Sequence, residues 1–187
     1  MGCSYDVITA NIRAKDKAKF VSMFNEILKD DLYDDWAQAS MDCFVKDLEG
    51  GRTVFAIDQE PLFTRMENGW QFFDFCCHYL NEVQDNGFTA HYECTFNNCG
   101  AMVVTDYSFQ DGILTAKTKQ AEEGYISCCE ECGYEDEEGE DLANLADWEE
   151  GQEIICPNCD AVLEFVDVSV EVEETNVAEY CAETDEE

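Results

Sequence analysis

Residues 129–134 read Cys129-Glu130-Glu131-Cys132-Gly133-Tyr134, and residues 156–160 read Cys156-Pro157-Asn158-Cys159-Asp160. Each stretch spaces two cysteines three positions apart, so that one tight turn directs both sulfur atoms to the same point. Two such turns supply the four thiolates of a closed tetrahedral zinc shell, which leaves no coordination position for a catalytic water. The pattern therefore predicts one structural zinc ion, held by Cys129, Cys132, Cys156 and Cys159.

Gly133 and Asp160 directly follow the two cysteine pairs, where a left-handed backbone conformation is common and glycine adopts it more readily than aspartate. The pattern resembles the zinc-ribbon family over about residues 125–166, and this resemblance implies two such turns on adjacent hairpins. The chain departs from the common ribbon at Asp160 and in the acidic segment between the pairs. Cys128 is an alternative ligand in place of its neighbour Cys129.

The charge of the chain is strongly negative and unevenly distributed. Asp and Glu total 44 against 10 Lys and Arg, a formal net charge of −34. Residues 1–120 contain 19 of the acidic residues and all 10 basic ones, whereas residues 121–187 contain 25 acidic residues and no Lys or Arg. Because like charges repel, we expect no direct binding to nucleic acid or to a membrane, and a basic protein is the expected partner.

The first 120 residues alternate between strand and helix patterns. The predicted strands are 5–12, 41–46, 53–57, 88–94, 100–106 and 113–119, and the predicted helices are 20–28 and 70–80. This order resembles the ferredoxin-like arrangement, an α+β fold with two helices on one face of an antiparallel sheet. The size of this region, about residues 1–120, and its hairpin turns at Asn97-Asn98-Cys99-Gly100 and Asp111-Gly112 resemble small ferredoxin-like domains of unknown function that phages and plasmids carry.

The composition changes near residue 121. The chain is therefore divided into a ferredoxin-like domain (1–120), an acidic zinc ribbon (121–173) and an acidic tail (174–187). Within the ribbon, valines at 166, 168, 170 and 172 alternate with polar residues, which predicts a long strand with one apolar face. The ribbon strands are expected to extend the sheet of the first domain.

The other cysteines and the two histidines form no catalytic motif. Cys76, Cys77, Cys94 and Cys99 are interpreted as buried small apolar side chains, with a second metal site as the alternative. His91 is interpreted as a residue on one face of its strand. The sequence contains no phosphate loop, dinucleotide fingerprint or hydrolase motif, so no enzymatic activity is expected. An enzyme would instead show a concave site with clustered titratable groups.

Acidic side chains are predicted to form a partner-binding surface. Residues two apart on one face of a strand lie about 6.6 Å from each other, and duplex DNA carries about one charge per 1.7 Å of its axis. A dense array of carboxylates can therefore imitate a nucleic-acid backbone. The residues assigned to this surface are Glu135, Asp136, Glu137, Glu138, Glu140, Asp141, Glu149, Glu150, Asp167, Glu171 and Glu173.

These patterns favour a non-catalytic interaction protein that occludes a basic, nucleic-acid-handling partner. Together with the resemblance to phage and plasmid domains, they predict an inhibitor of host defence of the anti-restriction or anti-CRISPR type. The alternative is an adaptor that docks through Tyr125, Tyr134 and Trp148, its acidity serving solubility only. No apolar run approaches the ~18–20 residues of a membrane span, and position 6 is Asp where a myristoylation site has Ser or Thr. The expected location is the cytoplasm, that of the host if the protein is viral.

Overall fold

The structure is a computed structural model that describes residues 4–29, 41–59, 70–96, 101–122, 129–134, 149 and 151–184. Its elements in chain order are β1 (Ser4–Arg13), α1 (Lys17–Lys29), β2 (Met41–Asp47), β3 (Arg52–Gln59), α2 (Trp70–Val83), β4 (Thr89–Phe96), β5 (Ala101–Gln110), β6 (Ile113–Glu122), β7 (Gln152–Ile155), β8 (Val162–Asn176) and α3 (Val177–Thr184). Each strand and helix predicted between residues 5 and 119 is present, as is the long strand around the valines. In the described ranges, no helix combines the length and apolarity that a membrane crossing requires.

Seven strands form one antiparallel sheet in the order β2-β3-β1-β4-β5-β6-β8. β8 joins this sheet at Asp167, opposite Glu122, and runs beside β6 as far as Asn176. The preceding part of β8, from Val162 to Val166, pairs instead with the short strand β7. The fold is α+β, and its sheet continues from the first 120 residues into the C-terminal segment.

The order of the whole sheet does not show the ferredoxin-like arrangement that the sequence predicts. A ferredoxin-like sheet has four strands, whereas β5, β6 and β8 continue this sheet beyond β4. The prediction relies on the order of elements along the chain. That order does not determine how many later strands join the same sheet, because any strand with an apolar face and a free edge beside it can be added.

Helices α1 and α2 cover one face of the sheet, and the core lies between them and the strands. On β1, Ile8, Ala10 and Ile12 are buried on this face. The rings of Phe20 and Phe24 on α1 meet the ring of Phe55 on β3 at centroid distances of 4.9 and 5.0 Å, in edge-on geometry. Such aromatic contacts stabilise the packing beyond the area that they bury.

The structure places residues 174–184 of the predicted acidic tail at the end of β8 and in α3. The Asn176 Oδ1 atom accepts hydrogen bonds from the backbone N–H groups of Ala178 and Glu179 at 3.1 and 3.3 Å, and so caps the helix. Val177 and Cys181, one helical turn apart, are buried. The domain boundaries at residues 120 and 173 stay predictions, although β8 runs across the second.

A buried carboxylate ties the end of α2 to β1 and β3. Asp85 is 1 % exposed. It accepts hydrogen bonds from the Arg13 backbone N–H at 3.1 Å, from Arg52 Nη1 at 3.0 Å and from the Gly87 N–H at 3.1 Å. Arg52 also donates from Nη2 to the backbone carbonyl of Asn11 at 2.6 Å. These partners compensate a charge that would be costly to bury alone.

Candidate functional site

The four predicted zinc ligands come together in the structure. The sulfur atoms of Cys129, Cys132, Cys156 and Cys159 all lie within 4.8 Å of one another. The Cys129–Cys159 and Cys132–Cys156 sulfur pairs are each separated by 3.7 Å. Four sulfurs at a zinc–sulfur distance of about 2.3 Å would stand about 3.8 Å apart at the corners of a tetrahedron. The donor set and its spacing therefore fit one tetrahedral zinc ion.

The backbone around each cysteine pair has the same hydrogen-bond pattern. In the first turn, the Gly133 N–H donates to the Cys129 carbonyl at 2.8 Å, and in the second the Asp160 N–H donates to the Cys156 carbonyl at 3.0 Å. Each turn is closed by a second bond, from the Cys129 N–H to Tyr134 and from the Cys156 N–H to Ala161. Two equivalent turns thus face each other across the sulfur cluster.

The left-handed conformation predicted after each cysteine pair is confirmed. The φ angle is +71° at Gly133 and +60° at Asp160. Glycine occupies this region at little cost, whereas most other residues do so with strain. Asp160 therefore adopts the same turn geometry as Gly133, although its side chain makes this conformation less favourable.

The cluster is half enclosed by the protein. Cys129 and Cys156 are 1 % and 0 % exposed, whereas Cys132 and Cys159 face solvent. The side-chain amide of Asn158 donates to the Cys132 sulfur at 3.3 Å. This hydrogen bond lowers the pKa of the Cys132 thiol, which favours the thiolate that binds metal. Four cysteine ligands close the shell, so a bound zinc supplies structural cross-linking between residues 129–134 and the β7–β8 hairpin.

The other cysteines do not join a metal cluster in the described part of the chain. Cys76 and Cys77 are buried on α2, next to Cys181 in the core, and Cys94 on β4 is half-buried. Burial raises the pKa of Cys77 to about 12, which keeps this thiol neutral. This agrees with the interpretation of these residues as small apolar side chains. Cys99 and the alternative ligand Cys128 lie outside the described residues.

The residues assigned to the acidic partner surface are only partly described. Glu171 and Glu173 are exposed on β8, Glu149 is exposed just before β7, and Asp167 starts the pairing of β8 with β6. The remaining predicted members, Glu135, Asp136, Glu137, Glu138, Glu140, Asp141 and Glu150, lie outside the described residues. Tyr134 of the alternative adaptor reading is half-buried beside the first cysteine pair. Tyr125 and Trp148 lie outside the described residues.

A groove of about 540 Å³ lies on the sheet face opposite α1 and α2. It is lined largely by hydroxyl and charged side chains from β1, β4, β5 and β6, with Val172 of β8 at one side. His91, Asp106 and Lys117 stand directly opposite one another on three neighbouring strands. Sequence reasoning recognised His91 as a face residue. It missed the groove, because its lining residues come from five strands whose alignment no single stretch of sequence specifies.

Both ring nitrogens of His91 are bound by carboxylates. Nδ1 lies 2.9 Å from Asp106 Oδ1, and Nε2 lies 3.4 Å from Glu93 Oε2. The hydrogen bond to Glu93, with a further contribution from Asp106 and against the effect of partial burial, raises the pKa of His91 to about 9. The imidazolium is therefore held as a charged group at neutral pH, and neither nitrogen is left to exchange a proton with a ligand in the groove.

We expect the ¹H–¹⁵N NMR titration of His91 to report a pKa of about 9, above the ordinary 6.5 of histidine. Folding raises this pKa, so the stability that the imidazolium contributes is fully present below about pH 6.5 and is lost as the pH rises toward 9. In Asp106→Asn the pKa should fall toward 6.5. The stability of His91→Gln should change less over this pH range than that of the unmodified chain. An unshifted His91 titration would contradict the observed contacts.

The chain matches no protein family model. It also matches no curated protein and no solved structure at a significant level. The evidence for a candidate zinc-binding segment comes from the positions of the four cysteine sulfur atoms in the structure.

Proposed function

We propose that this protein is a non-catalytic inhibitor that binds a basic, nucleic-acid-handling protein by presenting a rigid array of carboxylates in place of nucleic acid. The observation that carries the proposal is the charge of the described residues from 129 onward. Ten of their acidic side chains are exposed, namely Glu130, Glu131, Glu149, Glu153, Asp160, Glu171, Glu173, Glu174, Glu179 and Glu183. No Lys or Arg follows residue 119 in the sequence.

These carboxylates are not neutralised within the described structure. Ion pairs of the described residues include Arg52 with Asp85 and His91 with Asp106. None of the ten exposed acidic residues takes part in one. Unpaired like charges destabilise a fold by mutual repulsion, so their accumulation in one segment favours a role in binding.

The zinc site gives this segment the rigidity that mimicry requires. It cross-links residues 129–134 to the β7–β8 hairpin, and β8 continues into the seven-stranded sheet. Carboxylates on such a frame lose little conformational entropy when a partner binds. The proposed biological setting, a phage or mobile-element inhibitor of host restriction or CRISPR nucleases, rests on this charge pattern alone.

We expect the protein to compete with duplex DNA for a basic partner isolated from host lysate at low salt. The affinity should fall steeply between 50 and 200 mM salt, because screening weakens contacts between exposed charges. Glu171→Gln/Glu173→Gln should weaken competition at least threefold, and neutralising residues 135–141 should weaken it further. Fluorescence anisotropy of labelled DNA, recorded with the partner and increasing inhibitor, measures this effect.

The matched control is Glu26→Gln/Glu49→Gln, which removes the same charge from exposed positions in the first 120 residues. This variant should compete almost as well as the unmodified chain. If both double variants lost the same amount of competition, the effect would depend only on the net charge of the protein. Salt-independent binding to the partner would exclude mimicry of a phosphate backbone.

A second candidate function, an adaptor that docks by apolar contact, is favoured by four exposed side chains on β7 and β8. They are Ile155, Val162, Val170 and Val172, with exposures between 42 and 63 %. Ile155 and Val162 are paired across the two strands. For an adaptor, Ile155→Ser/Val162→Ser should abolish capture of the partner at high salt, whereas the glutamate variants should have little effect.

A further inference from the structure

The outer edge of β8 has no strand partner among the described residues over a long stretch. Between Asp167 and Asn176, β8 pairs with β6 on one side, and no other described strand pairs with this stretch. Ten residues of strand extend over about 33 Å. An edge of this length presents backbone donors and acceptors that an added strand can bind.

The register identifies the backbone groups that face outward. The Val177 N–H donates to the carbonyl of Gly112 at 3.0 Å, on the β6 side. Successive residues of a strand direct their backbone groups to opposite edges. Residues 167, 169, 171, 173 and 175 therefore turn toward β6, and Val168, Val170, Val172 and Glu174 turn their N–H and C=O groups away from it.

The side chains along this edge differ between the two faces of the sheet. Glu171 and Glu173 lie opposite Thr118 and Ala116, on the face that α1 and α2 cover. Val170 and Val172 lie opposite Lys119 and Lys117, on the uncovered face. The two valines are 53 and 63 % exposed. A strand added here thus meets carboxylates on one face and aliphatic side chains on the other.

We infer that the outer edge of β8 binds its partner by strand addition, and that the partner segment is an extended strand in which Lys or Arg alternates with Val or Ile. Directly opposite side chains in an antiparallel pair lie about 4.5–5.5 Å apart, close enough for charge pairs on one face and apolar contacts on the other. Every strand pair described in this protein is antiparallel, and the added strand takes the same direction. The inference rests on the proposed function only in taking the partner to be basic.

The same charges exclude a second copy of this chain from the edge. Two β8 strands paired antiparallel would set the glutamates of one copy against those of the other, and like charges directly opposite are destabilising. Acidic side chains on an edge strand protect it from self-association. A basic strand would place positive charges opposite these glutamates, so that attraction replaces repulsion. The edge therefore favours a basic strand over a second copy of this chain.

A synthetic ten-residue peptide of alternating Lys and Val, blocked at both ends, tests the inference on the zinc-loaded full-length chain. In antiparallel addition the Val residues of the peptide turn their N–H groups toward β8, whereas the Lys residues turn theirs away. N-methylation of the Val residues should weaken binding at least tenfold. N-methylation of the Lys residues should leave it within twofold, and these two peptides have the same charge and composition.

The readouts are titration calorimetry at 50 mM salt and the amide NMR signals of β8. Binding should shift and protect from exchange the amides of Val168, Val170, Val172 and Glu174. Val172→Pro, which removes one outward N–H, should weaken binding, and Val172→Ala serves as its control. Equal binding of both methylated peptides, absence of binding by the unmodified peptide, or loss only with methylated Lys would each overturn antiparallel addition. The DNA competition described above tests the proposed function separately, whichever result is obtained.

Discussion

Removal of zinc is expected to unfold the two cysteine turns (129–134 and 156–161) and β7, while the sheet from β1 to β6 persists. Structural zinc sites in small peptides contribute about 10–16 kcal/mol of apparent binding free energy, and the described residues 129–134 have no strand pairing to the sheet. The purified, reduced chain should contain one zinc per molecule by elemental mass spectrometry. In excess chelator, the amide NMR signals of the two cysteine turns and of β7 should collapse to unfolded positions, and those of β1 to β5 should remain.

Cysteine variants identify the ligands in the same experiment. Cys156→Ser and Cys129→Ser should each abolish stoichiometric zinc, because a three-thiolate shell binds the ion far more weakly than four. Cys94→Ser, which changes a half-buried cysteine on β4, should retain one zinc. Cys128→Ser should also retain it. A full zinc content in Cys129→Ser together with a loss of zinc in Cys128→Ser would show that Cys128 is the ligand. An NMR spectrum that does not change in chelator would show that no metal stabilises these residues.

Replacement of Asp85 by Ala is expected to destabilise the fold by about 3–5 kcal/mol, because it leaves the half-buried Arg52 guanidinium without its carboxylate. Arg13 and Gly87 lose hydrogen-bond acceptors in the same variant. Urea denaturation of the zinc-loaded protein, followed by fluorescence of the aromatic core, measures the change in unfolding free energy. Asp85→Asn retains an acceptor oxygen and should lose less.

Two further variants separate the network from the general effect of removing a charge. Glu49→Ala changes an exposed carboxylate beside the β2–β3 turn and should alter stability by no more than about 0.5 kcal/mol. In the Asp85→Ala background, Arg52→Met should cost less than in the unmodified chain, since the charge that it removes is already unpaired. An Asp85→Ala loss below about 1 kcal/mol would show that water replaces the carboxylate.

The elements of the sheet could be predicted from the sequence because their signals are local. The alternation of Ile8, Ala10 and Ile12 and the helical spacing of Phe20 and Phe24 each report one buried face, and the structure confirms both. The pairing of β8 with β6 is different. It brings Asp167 opposite Glu122 across residues 123–166, and no local pattern specifies such a contact. Periodicity within single strands does not predict the order of the whole sheet, which departs from the ferredoxin-like arrangement because β5, β6 and β8 continue it beyond β4.

The zinc site could be predicted residue by residue because metal chemistry imposes a strict spacing. Two cysteines three positions apart, followed by Gly133 or Asp160 at positive φ, leave few alternatives for the turn. The His91 network has no such signature. His91 is brought to Asp106 only by the register of β4 and β5, and Glu93 becomes its second partner because it lies two residues along the same face. These contacts become visible only once the strands are aligned.

The position at which β8 enters the sheet has a consequence for how this protein can diversify. The chain leaves the sheet at Glu122 and resumes it opposite the same residue, at Asp167. Within this segment, residues 129–134 and the β7–β8 hairpin are brought together at the four-cysteine cluster. Changes of length between residues 123 and 166 leave the register of β6 with β8 unaltered, because both strands pair through residues outside that range.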